Sequence, residues 1–395
     1  MTLAPEWEDR PGRAPGRRLP DYVTPQWAAA FTALPRSLFL PDLMWAHDMA
    51  TGRSRPLDRR TDPDAWTQAA DADIPIVTQW DDGQHAGTEP GTVPTSSASM
   101  PSVVAGMLAE LDPQPGQKVL NIGAGTGWDT ALLAHRLGDA NVYAVDVDPQ
   151  VTADARSRLG AAGYRPTVIC GDGRFGWKAG AAYDRVIVSC GLRQIPGALV
   201  EQTRPGGVIL APWGTHYGNA DALVRLTVHD DGTAATGPFL RPVEFMKLRA
   251  HRLVWPEAPD AGGTVEESTT VATLPAHGQF DPFPFALGLR LPHATHAFQP
   301  HDDGARTLWL YSLAEPAWSA VTFRDGEPEH QVRQYGARRL WDEFEAAYAW
   351  WLGAGRPGFD RFGLTVDTAG DHRVWLDDPD QPVNQPGRPP SVRGA

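Results

Sequence analysis

From Pro101 to about Arg252 the chain alternates between two hydrophobic patterns. Short apolar runs typical of buried strands are separated by stretches, such as Thr130 to Leu137, in which apolar residues recur at helical intervals. This rhythm is typical of βαβ units and predicts an α/β fold with a Rossmann-like core, a largely parallel sheet covered by helices on both faces. The predicted strands are residues 118–122, 141–145, 165–170, 184–188, 207–211 and 223–228.

The pattern changes after a segment rich in proline and glycine at 256–263, which we interpret as a linker. One amphipathic helix is predicted beyond it, because Leu340, Phe344, Ala347, Tyr348 and Trp351 recur at steps of three and four residues. Together with short strands, this helix predicts a smaller C-terminal α+β domain at 264–380. Its predicted strands are residues 308–311, 318–323, 331–335, 362–366 and 373–376.

The hydrophobic pattern of the N-terminal part predicts secondary structure less clearly. Apolar residues from Trp27 to Phe39 predict a short helix followed by a turn. Polar turn formers between Asp71 and Thr95 predict a long surface loop, and long loops beside catalytic cores often bind substrate. The expected organisation is a disordered tail at 1–20, the Rossmann-like domain with its N-terminal extension at 21–255, the C-terminal domain at 264–380, and a second disordered tail at 381–395.

Charge and composition exclude several classes of protein. The formal net charge of −13 disfavours binding to a nucleic-acid backbone, which needs a dense basic surface. No apolar run approaches the roughly 18 residues of a membrane span, and the arginines near the N-terminus are not followed by the apolar stretch of a secretory signal. The two cysteines, Cys170 and Cys190, belong to no metal-ligand cluster and suggest a reducing compartment, so a cytoplasmic location is expected.

Three glycine-containing or acidic segments follow successive predicted strands. The first is Gly123-Ala124-Gly125-Thr126-Gly127, where glycines permit a tight turn and close approach of a ligand to a helix N-terminus. Asp146 and Val147 end the next strand, about 20 residues after the glycines, where a carboxylate can accept from both ribose hydroxyls. Gly171-Asp172-Gly173 follows the third strand, where the carboxylate can accept from an adenine amino group. The predicted cofactor contacts are the residues of these three segments with the exception of Thr126, nine in all.

A glycine-rich turn alone is also found in enzymes that bind dinucleotides, and such a turn can also connect a strand to a helix without binding any ligand. The sequence contains no phosphate-binding lysine, nicotinamide-type acid–base pair or metal cluster, which favours S-adenosylmethionine over NAD or ATP. Its sulfonium already activates the methyl group, so an enzyme using it mainly positions and desolvates the reactants.

At this point the sequence resembles the protein-L-isoaspartate O-methyltransferases, over roughly Trp27 to Arg252. Pro35-Arg-Ser-Leu-Phe39 resembles the entry motif of that family, and Gly171-Asp-Gly-Arg-Phe-Gly176 one of its later motifs. Ser97-Ala-Ser-Met-Pro101 is similar to the signature beside its active site, and the resemblance implies that Ser99 is the active-site serine. Ser99 could instead cap the helix expected near Ser102. Asn121 departs from the family, which usually carries an acid there, and this puts one contact near the methionine end of the cofactor in doubt.

Housekeeping repair enzymes end soon after the Rossmann core, whereas this chain continues to residue 395. The whole architecture resembles the actinobacterial branch of the family that accompanies modified ribosomal peptides, notably graspetides and lanthipeptides. The resemblance implies methylation of an aspartate in a macrocyclised ribosomal peptide precursor, followed by closure to an aspartimide and hydrolysis to isoaspartate. The expected partner is that precursor, with no nucleic acid and no membrane. Two alternatives stay open, an ordinary isoaspartyl repair enzyme and a non-catalytic cofactor-binding or peptide-carrier module.

Overall fold

The computed structural model describes residues 20–256, 264–274, 278 and 280–383. The predicted linker and most of both predicted tails lie outside these ranges. The described chain divides into two compact units, one up to Arg185 and one from Val186 onward. The boundary between the two units lies after Arg185, and the domain boundary expected near residue 255 stays a prediction.

The first unit contains an α/β layer and an antiparallel sheet. Its helices are α1 (Ala28–Ala33), α2 (Pro63–Asp71), α3 (Pro101–Leu111), α4 (Trp128–Leu137) and α5 (Pro149–Ala161). Its strands are β1 (Leu43–Asp48), β2 (Arg53–Asp58), β3 (Ile76–Trp80), β4 (Pro94–Ala98), β5 (Val119–Ile122), β6 (Val142–Asp146) and β7 (Thr167–Cys170). Strand β8 (Tyr183–Val188) crosses the boundary between the units.

Strands β5, β6 and β7 pair in parallel, with α4 and α5 as the connections between them. The start of β8 runs beside β5, since the Asp184 amide donates to the Lys118 carbonyl at 2.9 Å. All four residues of β5 are buried, as expected for a strand covered on both faces. The strands and the helix predicted for this region are confirmed.

Strands β1 to β4 form an antiparallel sheet in the order β2-β1-β3-β4. Helix α2 covers it, and the core between them includes Met44, Trp66 and Ile76. The long loop predicted from Asp71 to Thr95 is therefore wrong in part, because Ile76–Trp80 is strand β3 and pairs with both β1 and β4. Residues that favour turns flank these five residues on both sides, so the sequence pattern did not predict a strand here.

The second unit contains two antiparallel sheets. Its strands are β9 (Thr203–Trp213), β10 (Asp221–Val228), β11 (Ala234–Val243), β12 (Val265–Thr270), β13 (Ala294–Pro300), β14 (Arg306–Ser312), β15 (Trp318–Phe323), β16 (His330–Tyr335), β17 (Phe362–Asp367) and β18 (His372–Leu376). Its helices are α6 (Gly197–Glu201), α7 (Pro282–Arg290) and α8 (Leu340–Gly353).

The first sheet runs β9-β10-β11-β17-β18, and the second runs β12-β16-β15-β14-β13 with α8 packed on it. The predicted helix from Leu340 is confirmed as α8. The last two strands do not join the second sheet, however: β17 pairs with β11, and β18 pairs with β17. The five-stranded sheet is thus an insertion between two neighbouring strands of the first sheet. Residues near the start of the predicted tail also pair, since Pro382 bridges to Trp375.

The insertion shares a hydrophobic core with the sheet that carries it. Phe285 of α7 lies with its ring centroid 5.2 Å from that of Phe239 and 6.0 Å from that of Phe362. All three side chains are almost fully buried. A cut near residue 256 would therefore remove the inserted sheet, the two strands β17 and β18 of the first sheet, and one side of this core.

Candidate active site

The glycine turn between β5 and α4 has the conformation that its sequence predicts. Gly127 has a φ of +90°, and a Cβ there would lie 3.4 Å from the side chains of Ala155 and Leu159 of α5. Glycine therefore permits both the turn and the close approach of α4 to α5. The loop amide of Gly125 points to the end of β6, where it donates to Asp146 Oδ2 at 2.9 Å.

The structure places Asp146 at the carboxyl end of β6, partly buried. Its Oδ1 accepts from the Asp148 amide at 3.1 Å, so both oxygens are oriented by backbone N–H groups. Val147 beside it is 40% exposed and adds apolar surface next to the carboxylate. The acid and the apolar surface fit a ribose and the edge of a purine.

Asp172 follows β7 and caps a short 3-10 helix by accepting from the Arg174 amide. It is also paired with the Arg174 guanidinium, at 2.7 Å between Nη2 and Oδ2. The amide, Nε and Nη2 of Arg174 together make four contacts to the two carboxylate oxygens, so an adenine amino group would have to share an oxygen with Arg174 or replace one of its contacts. Phe175, which sequence reasoning missed, is 67% exposed directly after this pair and offers a second apolar surface for a purine.

Ser99 lies between β4 and α3, and its side chain is partly exposed. Helix α3 begins at Pro101 with Met100 as its N-cap, and no side chain of the N-cap residue bonds to it. The helix is held instead by Asp73, whose Oδ1 accepts from the Ser102 amide at 2.9 Å. Ser99 is therefore not the N-cap of α3, and the capping interpretation is wrong.

Arg36, in the predicted entry motif, fixes the backbone at Ser99. The guanidinium is buried and donates to five carbonyls, among them Ser99 at 3.0 Å and Ile74 at 2.7 Å. The other three carbonyls belong to the end of α2 and the residue after it, where the helix dipole favours a cation: Ala69, Ala70 and Ala72. Burial lowers the pKa of Arg36 to about 10, which leaves it charged at neutral pH.

Asn121, the departure from the family pattern, is fully buried at the carboxyl end of β5. Its Nδ2 donates to Asp129 Oδ2 and to Thr130 Oγ1, both at 3.1 Å. The described ranges contain no cluster of three potential metal ligands and no helix long and apolar enough to cross a bilayer. Both cysteines are free thiols.

Parallel strands with a glycine turn after the first and an acid after each of the next two define the class I methyltransferases, whose cofactor is S-adenosylmethionine. The family model described as protein-L-isoaspartate(D-aspartate) O-methyltransferase matches residues 78–250. The chain is 32% identical to the protein-L-isoaspartate O-methyltransferase of Methanothrix thermoacetophila over 214 residues, which cover 54% of this chain and 84% of that protein. The chain belongs to the protein-L-isoaspartate O-methyltransferase family.

Other relatives match over shorter stretches. The enzyme of the same name from Hyperthermus butylicus is 37% identical over 150 residues, 35% of this chain and 62% of that protein. The Thermococcus onnurineus protein is 41% identical over 33% of this chain and 60% of its own length. This chain thus spans somewhat under two thirds of these two relatives. A solved structure named protein-L-isoaspartate O-methyltransferase shares the fold, with a TM-score of 0.51 and 20% identity over 90% of this chain and 96% of that chain.

Alanine at Asp146 or at Asp172 is expected to weaken binding of S-adenosylhomocysteine about tenfold to a hundredfold. The reason is the loss of a charge-assisted hydrogen bond to ribose or adenine, which contributes roughly 1.5–3 kcal/mol. Isothermal titration calorimetry measures the change, with the partly exposed α5 residue Asp154→Ala as the control. Unchanged affinity in both variants would reject this placement of the nucleoside.

Proposed function

We propose that this protein transfers a methyl group from S-adenosylmethionine to a side-chain carboxylate of an aspartyl or isoaspartyl residue in a peptide. The observation that carries the proposal is the Ser99 hydroxyl, which is free of a capping role and lies just before the N-terminus of α3. S-adenosylmethionine supplies a methyl carbon that is already activated by a sulfonium. The chain therefore has to hold a carboxylate in line with that carbon rather than to provide an acid or a base.

The residues around Ser99 suit that task. Its hydroxyl can donate to one carboxylate oxygen and leave the other directed at the methyl group. The backbone N–H groups at the start of α3 add a partial positive charge that favours an anionic substrate. Arg36 donates to the Ser99 carbonyl and so fixes the backbone that carries the hydroxyl.

The finer proposal is that the substrate is an aspartate in a macrocyclic ribosomal peptide precursor. Methylation turns its carboxylate into an ester, and the backbone nitrogen of the next residue attacks the ester carbonyl and expels methanol. The product is an aspartimide, which water opens to aspartate or isoaspartate. The inserted five-stranded sheet supports a substrate larger than a short peptide.

The second candidate is isoaspartyl protein repair, and one observation favours it. The solved structure of that name aligns with 90% of this chain, so a chain that bears this name reaches well beyond the residues matched by the family model. An extended chain is thus no argument against repair. Under this alternative the insertion would contribute only stability or oligomerisation.

Kinetics with two substrates separate these candidates. The first is a macrocyclic precursor with one aspartate in its ring, and the second is a short linear peptide with one isoaspartate. The finer proposal expects a higher kcat/KM on the macrocycle and the appearance of aspartimide by mass spectrometry. A preference for the isoaspartyl peptide would establish repair, and methyl transfer to neither would leave a non-catalytic module.

The proposed recognition surface is the aromatic face of the inserted sheet, formed by Trp309, Tyr311, Trp318 and Tyr335. The rings of Trp309 and Trp318 have centroids 5.4 Å apart, and Trp318 stacks on Tyr335 at 6.0 Å. All four side chains are partly exposed. Three other tryptophans of the second unit are buried below 9% exposure and belong to its core: Trp341, Trp351 and Trp375.

Alanine at Trp309 and Trp318 together is expected to raise KM for the macrocycle at least about tenfold, because the peptide loses aromatic surface on which to pack. The kinetics on the short isoaspartyl peptide should not change. Phe298→Ala is the matched control, since Phe298 is 44% exposed on the same sheet and adjoins Ala297, the strand partner of Trp309, so that it points to the opposite face. Equal KM values for all three proteins would exclude this face from recognition. A truncation near residue 256 could not serve as this test, because it would also remove β17 and β18 from the first sheet.

A further inference from the structure

A cavity of about 400 Å³ lies between the β1–β4 sheet and helix α5, inside the first unit. Successive residues of β1 point to opposite faces of this sheet. Met44 and Ala46 pack in the core under α2. Trp45, between them, packs with Val77 and Trp80 on the opposite face. Trp45 and Trp80 line the cavity, so this second face forms one wall and α5 forms the other. The volume is within the roughly 300–1,000 Å³ that is typical of ligand sites.

The cavity adjoins the glycine turn but is separate from the proposed nucleoside site. Gly125 lines it, whereas Asp146 and Asp172 do not. Leu43 and Trp45, which also line it, precede residue 78, where the match to the family model begins. One wall of the cavity therefore belongs to a part of the chain that lies outside this match.

The walls combine aromatic rings with an ion pair. The ring centroid of Trp45 lies 6.1 Å from that of Trp80 and 6.3 Å from that of His85, and both contacts are edge to face. On the α5 wall, Arg158 and Asp154 pair at 3.7 Å between Nη2 and Oδ2. Because these two charges compensate each other, the pair does not favour a charged ligand of either sign. An uncharged aromatic group can pack against the indole rings.

The cavity also lies close to the proposed active-site serine. Ser96 lines it, and Ser99 follows three positions later, at most about 10 Å along the chain. An extended peptide covers the same distance with three residues. We propose that the cavity binds an uncharged aromatic side chain of the peptide substrate, within about three residues of the aspartyl or isoaspartyl residue that is methylated. The inference rests on the proposed function.

Kinetics on a set of short isoaspartyl peptides test this proposal. At each position within about three residues of the isoaspartate, phenylalanine is compared with alanine, lysine and glutamate. Phenylalanine at one of these positions is expected to lower KM about tenfold relative to alanine, because its ring is removed from water. Comparison of the peptides on the unmodified protein requires no variant.

A variant that fills the cavity locates the effect. Gln150 is exposed and lines the cavity from α5, so the ring of Gln150→Phe should occupy the space of the substrate side chain and abolish the difference between phenylalanine and alanine peptides. Ala153→Phe is the matched control, because Ala153 is exposed on the same helix but does not line the cavity. This control should retain the preference for phenylalanine.

The outcomes separate the cavity from the proposed function. Methyl transfer to all peptides with equal KM, or a preference for lysine or glutamate, would overturn the role of the cavity and leave the proposed function intact. A preference for phenylalanine that persists in Gln150→Phe would also overturn it. Weaker binding of S-adenosylhomocysteine to Gln150→Phe, measured by calorimetry, would assign the cavity to the cofactor instead. If the unmodified protein methylates none of the peptides, the proposed function fails, and this inference fails with it.

Discussion

Replacement of Ser99 by alanine is expected to slow methyl transfer about a hundredfold while S-adenosylhomocysteine binds as before. A carboxylate without its hydroxyl partner can rotate away from the methyl group, and a displacement of about 1 Å in such a geometry costs on the order of a hundredfold in rate. The measurement is kcat on a short isoaspartyl peptide, with cofactor affinity determined separately. The separation matters because the proposal assigns Ser99 to the substrate alone.

A neighbouring serine provides a matched control for this change. Ser102, in the first turn of α3, contributes only its backbone amide to the contact with Asp73. Alanine at this position should retain most of the activity. A Ser99→Ala enzyme that turns over at the normal rate would remove the active-site assignment, whatever its melting temperature.

Replacement of Arg36 by methionine is expected to destabilise the protein by about 3–5 kcal/mol, the range for a broken buried hydrogen-bond network. The side chain keeps its approximate volume, but five carbonyls lose a charged donor in a buried place. Chemical denaturation of the two proteins, compared by their midpoints, measures the difference.

Arg136→Met is the control for the loss of an arginine that donates to backbone carbonyls. Arg136 donates to the carbonyls of Pro113 and Gln26, but the contact with Gln26 is exposed. Water can replace the lost donor there, so an effect near 1 kcal/mol is expected. Equal destabilisation by both changes would show that the burial of Arg36 is of no consequence.

The parts of the fold that sequence reasoning predicted are those with a local signal. Strand β5 is apolar at nearly every position because both faces are covered, and the residues after β5, β6 and β7 lie at one edge of a parallel sheet by geometry alone. This geometry is sufficient to predict that the glycine turn, Asp146 and Asp172 lie at the same edge of the sheet. Their roles as cofactor contacts are predictions that the aspartate variants test.

The parts that were missed depend on partners far away in the sequence. Asp73 holds the start of α3 across 29 positions, and no local pattern marks it as a cap. Strand β2 is largely polar because it lies at the edge of its sheet, so its alternation is weak. The hydrophobic pattern of β17 predicts a strand but does not identify β11 as its neighbour, since either sheet would bury the same side chains.

The pairing of β17 with β11 also has a consequence for how the chain is made. Thr236 and Thr365 hydrogen-bond to each other across 129 positions, so synthesis must proceed beyond Thr365 before the edge of β11 is covered. During synthesis that edge is exposed, and an uncovered strand edge promotes association between nascent chains. The inserted sheet has only neighbouring or short-range strand pairs from β13 to β16, and it can form while the ends of the first sheet are still apart. Early folding of the inserted sheet would shorten the effective chain length between β11 and β17. The entropy cost of pairing these two strands would then be lower.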